Sequence, residues 1–320
     1  MELHPILTRY LPKWQHSSAL TPEQHHAVRA IQQCRTAHCG QMRLYCQGCA
    51  HHQGAFHSCG HRSCPRCQHH DTAQWLERQQ HKLLPVNYFM VTFTLPAQLR
   101  ALARQHPKDV YSALFACAVS TLQEFGRNSK SLNGQLGMTA VLHTHTRRLD
   151  YHPHVHVVVP GGGINQERRQ WKALRGKAKY LFHHKSLAKV FRARLLQALR
   201  QQGLCLPADL PQAWVVDCKA VGSGLPALTY LARYLYRGVI AENNIISDDG
   251  TNVSFRYQDS KTKQYQIRTL KGEEFVGLLL QHVLPKGFRR ARDFGFLHGN
   301  AKKLLWLVQQ VLGVRIQHGP

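Results

Sequence analysis

The stretch that most restricts the fold of this chain is Val141 to Gly163, VLHTHTRRLDYHPHVHVVVPGGG. From His154 onward it alternates and then turns fully apolar, the pattern of a buried strand. Successive strand side chains point to opposite faces, so His154 and His156 share one face while Val155 and Val157 share the other. His143 sits in a second apolar run just upstream, and a hairpin closing over Thr146 to Pro153 would bring it beside the pair. Three imidazoles so placed could hold one divalent ion and leave coordination positions open, as a catalytic metal requires. His145 and His152 are local rivals for the third position. Pro153 favours extended backbone before the pair, and Gly161 to Gly163 after it permit close backbone approach.

A second constellation lies downstream in SGLPALTYLARYLYRG, Ser223 to Gly238. Pro226 suits a first helical turn and Gly238 a C-terminal cap, which predicts a helix of about three turns. Four-residue spacing sets Tyr230 and Tyr234 on one face with Arg233 and Arg237 stacked nearby, while Leu231 and Leu235 supply core contacts. Two phenols facing a metal site are candidate nucleophiles; taken alone, they would be packing residues.

Seven of the ten cysteines crowd between Cys34 and Cys67. No signal-peptide core opens the sequence, so a reducing compartment and metal binding explain them better than disulfides. Two knuckles, Cys46-X2-Cys49 and Cys64-X2-Cys67, have the spacing of a tetrahedral thiolate zinc site. Cys34 and Cys59, with Cys39 and several histidines nearby, could serve a second ion.

Charge identifies the partner class. With 42 Lys and Arg against 17 Asp and Glu, the formal charge is +25, the footprint of a polyanion binder. No run of about 18 apolar residues offers a membrane span, so nucleic acid is expected rather than membrane or a small-molecule substrate. Arg168 to Arg194 carries ten basic and no acidic residues, interleaved with Trp171, Tyr180 and Phe182. This reads as a phosphate-tracking groove with stacking aromatics. Its candidate contacts are Arg168, Arg169, Lys172, Arg175, Lys177 and Lys179, joined by Arg233 and Arg237 of the tyrosine helix.

The HPHVHVVVPGGG string with LHT ahead of it resembles the HUH signature (His, bulky apolar residue, His) of single-strand DNA nucleases. Together with CRT at Cys34, SCPRCQ at Ser63, YLARYLYR at Tyr230 and HVLPKGF at His282, it resembles the insertion-sequence 91 family of rolling-circle transposases over nearly the full chain. The resemblance implies a 5′-phosphotyrosine formed by Tyr230 or Tyr234, a catalytic Mg²⁺ or Mn²⁺, structural Zn²⁺, and single-stranded DNA at transposon ends and target as partners. A bacterial, cytoplasmic and nucleoid-associated protein is expected. A noncatalytic zinc-dependent DNA-binding regulator, or a replication initiator or relaxase of the same chemistry, is the alternative.

The expected fold class is α+β. A strand over Tyr88 to Leu95, a long helix ending near Phe125 and the histidine hairpin give the order of a palm-like antiparallel sheet of split βαβ type. The expected organisation is a zinc-binding module at 1–80, a catalytic domain at 86–245 and an accessory DNA-binding or docking subdomain at 246–320.

Overall fold

The structure is a computed structural model that describes residues 1–67, 69–174, 178–235 and 238–314, the side chains of His69, Arg233 and Tyr234 lying outside the description. In chain order the elements are α1 (Leu3–Gln15), α2 (Pro22–Gln33), β1 (Gln41–Tyr45), β2 (His52–Phe56), α3 (His69–Gln80), β3 (Tyr88–Thr94), α4 (Arg100–Gln105) and α5 (Pro107–Asn128). There follow β4 (Met138–His145), β5 (Tyr151–Pro160), β6 (Gly162–Asn165), β7 (Gln170–Ala173), α6 (His184–Gln201), β8 (Val216–Gly222) and α7 (Leu225–Leu235). The last are β9 (Ile245–Asp248), β10 (Asn252–Gln258), β11 (Tyr265–Lys271), α8 (Gly272–Leu280), β12 (Ala291–Phe294) and α9 (Lys302–Val311).

These elements gather into two compact units, each discontinuous in sequence. One comprises Met1–Ala73, His145–Tyr151 and Tyr236–Lys286; the other comprises Gln74–Thr144, His152–Leu235 and Gly287–Pro320.

In the first unit a three-stranded sheet, β11-β10-β9, packs with helices around Ile6, Leu7, Tyr10, Val253, Phe255 and Phe275. The Tyr10 ring lies where a Cβ on Gly272 would stand, and its hydroxyl donates to Asp248 at 2.5 Å. Thr21 caps α2: its hydroxyl accepts from Gln24 N–H, and the Gln24 side chain accepts from Thr21 N–H. α1 carries Pro5 in its first turn, where its missing N–H costs little, and Pro12 within its length.

The second unit is built on a five-stranded sheet ordered β12-β4-β5-β3-β8. β3 runs antiparallel to β5 and to β8, and β12 is antiparallel to β4. The connection from β4 to β5 spans only residues 146–150, which permits only an antiparallel hairpin. β3 and β4 therefore run in the same direction with β5 between them, joined through α4 and α5: the split βαβ arrangement that the sequence predicts. Val155, Val157 and Val159 are fully buried, as is Phe93 opposite Val155. Phe93 packs on Phe191 of α6 at 4.8 Å between ring centroids, so α6 covers the valine face, opposite to the one that carries His154 and His156.

The basic run is not one groove. Its first residues turn and return through β7, and its last form α6, where Arg194 pairs with Glu124. Phe182 is buried against Phe125, and the Trp171 ring packs over Gly162 and against Phe296. Of the three aromatics only Tyr180, 54% exposed, is presented to solvent.

Candidate active site

β5 and β4 supply the three imidazoles. Ligand-capable nitrogens of His143, His154 and His156 all lie within 4.8 Å of one another. His143 and His156 are buried and His154 is half-buried. Each imidazole of the HVH strand has a fixed orientation. The Nδ1 of His154 lies 2.7 Å from the carbonyl oxygen of His152, which can only accept, so the proton sits on Nδ1 and the lone pair on Nε2. The Nδ1 of His156 is 2.8 Å from the hydroxyl of Thr92, the residue directly opposite it on β3. A ring nitrogen tied to an oxygen while the other faces a shared centre is the usual outer shell of a metal-binding histidine. Burial, with His154 and Lys219 nearby, pushes the His156 imidazole down to about 3, which keeps it in the neutral form that a metal requires. The donor set and its orientation therefore fit a divalent ion.

The rivals for the third position are engaged elsewhere. Arg100 donates to the Nδ1 of His152 at 2.7 Å, and the Nδ1 of His145 lies 3.1 Å from the carbonyl oxygen of Thr146. His143 is the one that joins the pair.

Tyr230 reaches the same centre from α7. Its ring centroid is 6.2 Å from that of His156 and 6.5 Å from that of His143. The approach is set by the turn out of β8, where Gly224 adopts a left-handed φ of 83° with its Cα against the ring of Tyr88; a Cβ there would lie 2.7 Å from that ring. At the other end, Arg290 donates to the carbonyl oxygen of Leu235, an orphan acceptor of the last helical turn. Tyr234 and Arg233 lie in α7 with side chains outside the description, and Arg237, Arg175 and Lys177 lie outside the described residues. Arg168 and Arg169 sit in the turn between β6 and β7, Lys172 lies within β7, and Lys179 is exposed ahead of α6.

The cysteine cluster corrects the expected pairing. The sulfurs that converge within 4.8 Å are those of Cys34, Cys59, Cys64 and Cys67: the second knuckle is joined by Cys34 and Cys59, not by Cys46 and Cys49. Cys34 and Cys59 each approach Cys67 at 3.6 Å, close to the ~3.8 Å edge of a tetrahedron with 2.3 Å zinc–sulfur bonds. A hydrogen bond from Cys64 brings the Cys59 thiol down to about 5, whereas that bond and burial push Cys64 up. Cys46 and Cys49 stand exposed at the tip of the β1–β2 ribbon. Five residues of strand separate tip from base, roughly 16 Å, so the ribbon offers its base to the Cys64–Cys67 turn. The sequence signal for Cys34 and Cys59 was present, but local spacing favours the knuckle that is closer to ideal over ligands brought in by the fold.

Residues 6–95 match the family described as "Transposase zinc-binding domain", and residues 137–304 match the one described as "Putative transposase". The chain is 35% identical to "Putative transposase y4qJ" of Sinorhizobium fredii, over 98% of this chain and 85% of that protein. It is 30% identical to the transposase for insertion sequence element IS801 of Pseudomonas savastanoi pv. phaseolicola, over 82% of this chain and 68% of that one. Among solved structures, the conjugative relaxase TrwC in complex with mutant OriT DNA is similar at 14% identity and a TM-score of 0.31, covering 71% of this chain and 74% of that chain. That likeness is too shallow to carry chemistry across.

Proposed function

Because the chain belongs to the insertion-sequence 91 family of transposases, we propose that it cleaves and rejoins single-stranded DNA at the ends of its element by metal-assisted transesterification onto tyrosine. The observation that carries this reading is the convergence of three oriented imidazoles with the Tyr230 ring on one face of the sheet. A divalent ion held by His143, His154 and His156, Mg²⁺ or Mn²⁺ by family resemblance, would polarise the scissile phosphate.

This chain's own groups do the rest. The hydroxyl oxygen of Tyr230 attacks phosphorus and gives up its proton, the bond to the 3′ oxygen breaks, and that oxygen takes up one proton in return through solvent and leaves as a 3′-OH. The 5′ phosphate stays on tyrosine with its bond energy conserved, so a later 3′-OH can reverse the step and join strands without ATP. Tyr234, four residues on, is the candidate for a second cleavage while the first end is held, as rolling-circle transfer demands. The charge of +25 supports binding to the DNA backbone. In functional terms we assign zinc binding to 1–80, catalysis to 86–245 and an accessory DNA contact to 246–320.

The test is cleavage of labelled single-stranded DNA spanning the element ends. Strand breakage should require Mg²⁺ or Mn²⁺, and His154→Ala should abolish it while leaving salt-dependent binding nearly intact. Normal cleavage by His154→Ala would refute the metal assignment.

A further inference from the structure

Among the described residues, the helix α9 presents one face to solvent. Its inner residues Leu304, Leu305 and Val308 pack with Ile164, Trp171 and Phe296, which fixes the helix against the β6–β7 hairpin. On the outer side Trp306 is 56% exposed, the most exposed of the large hydrophobic side chains in α9. Leaving an indole in water forgoes one of the largest burial gains available to any side chain. Lys302 and Lys303, one helical turn before it, are exposed at i,i+4 and i,i+3 spacing and so flank the ring.

Across from them stands Arg169. Together Arg169, Lys302, Lys303, Trp306 and Leu307 line an open groove of about 520 Å³, with three cations and no carboxylate among them. Arg169 holds a left-handed φ of 49° at the hairpin turn, a conformation that a bulky residue adopts at a cost. An aromatic plane beside fixed cations matches a nucleotide: the base stacks and the phosphate meets the charges. A second copy of this chain, itself at +25, would set more positive charge against these three cations.

We infer that this groove is a single-strand DNA site outside the histidine centre, with Trp306 stacking on a base and Arg169, Lys302 and Lys303 contacting phosphates. It takes any single strand with bases, since every base offers a π face. The inference rests on the proposed function only for the identity of the ligand.

The test uses the full chain and two fluorescein-labelled probes, oligodeoxythymidine and the same length of abasic strand. Trp306→Ala should bind oligodeoxythymidine roughly 5- to 100-fold more weakly, equivalent to the stacking of one base, and bind the abasic strand as the wild type does. Trp306→Phe should recover most of the loss. Replacing Arg169, Lys302 and Lys303 by Gln should weaken both probes and reduce the salt slope by about 2. Unchanged affinity of Trp306→Ala for oligodeoxythymidine overturns the inference, as does a change in sedimentation coefficient on that substitution, which would mark a face between copies. Cleavage measured in parallel separates the two readings: a Trp306→Ala protein that cleaves and binds normally sinks only this site, whereas stacking without cleavage sinks only the nuclease.

Discussion

Thr92 lies outside the proposed metal-binding set and touches one of its members. Its hydroxyl hydrogen-bonds to the Nδ1 of His156; a metal taken on Nε2 would put the proton on Nδ1 and make the hydroxyl its acceptor, a partner that Thr92→Val removes at nearly constant volume. The expected result is a loss of roughly 10- to 100-fold in Mn²⁺ affinity by calorimetry, with Thr92→Ser close to wild type. Equal affinity in Thr92→Val would mean that packing alone orients the ring. His156 also makes stability depend on pH. Its folded imidazole protonates only near pH 3, whereas a solvated one does so near 6.5. The unfolded state therefore binds the extra proton between those values, and stability falls as pH drops from about 6.5 toward 3. Melting of the metal-free protein should show this decline, and His156→Gln should flatten it; an unchanged profile would place the acid sensitivity elsewhere.

The β1–β2 ribbon makes the matching prediction for a whole element. Because its base rather than its tip carries sulfur to the four-thiol cluster, Cys59→Ser should lose zinc and soluble yield together, whereas Cys46→Ser should keep one zinc per chain and fold normally. Zinc assayed in both purified variants checks this, and a zinc-replete Cys59→Ser contradicts it. Elements with strong local grammar are legible: the apolar β3 and the alternation that places His154 and His156 on one face. Long-range pairing was not. No local pattern reveals that Cys34 reaches Cys67 across the ribbon, or that β12, 150 residues downstream, pairs alongside β4. The basic run misled for a related reason: charge density marks a surface, but Trp171 and Phe182 answer to packing partners far away in sequence.

At the scale of the whole molecule, a charge of +25 is spread over a chain whose two compact units are each assembled from separated segments. Among the described residues no helix is long and apolar enough to cross a membrane. Single-strand affinity should thus fall steeply with salt, with a log–log slope of about −0.7 for each phosphate neutralised. A flat salt dependence would contradict a backbone-dominated contact. The histidine centre and Tyr230 belong to one unit, so their joint chemistry is the claim on which the account depends most. It is tested by mixing the protein with labelled single-stranded DNA from the element ends and Mg²⁺, then looking on a denaturing gel for DNA covalently bound to protein. The expected result is a DNA–protein band that Tyr230→Phe weakens or abolishes and that disappears when Tyr234→Phe is added. A substrate that binds tightly yet yields no such band, or a band that survives both substitutions, would contradict it.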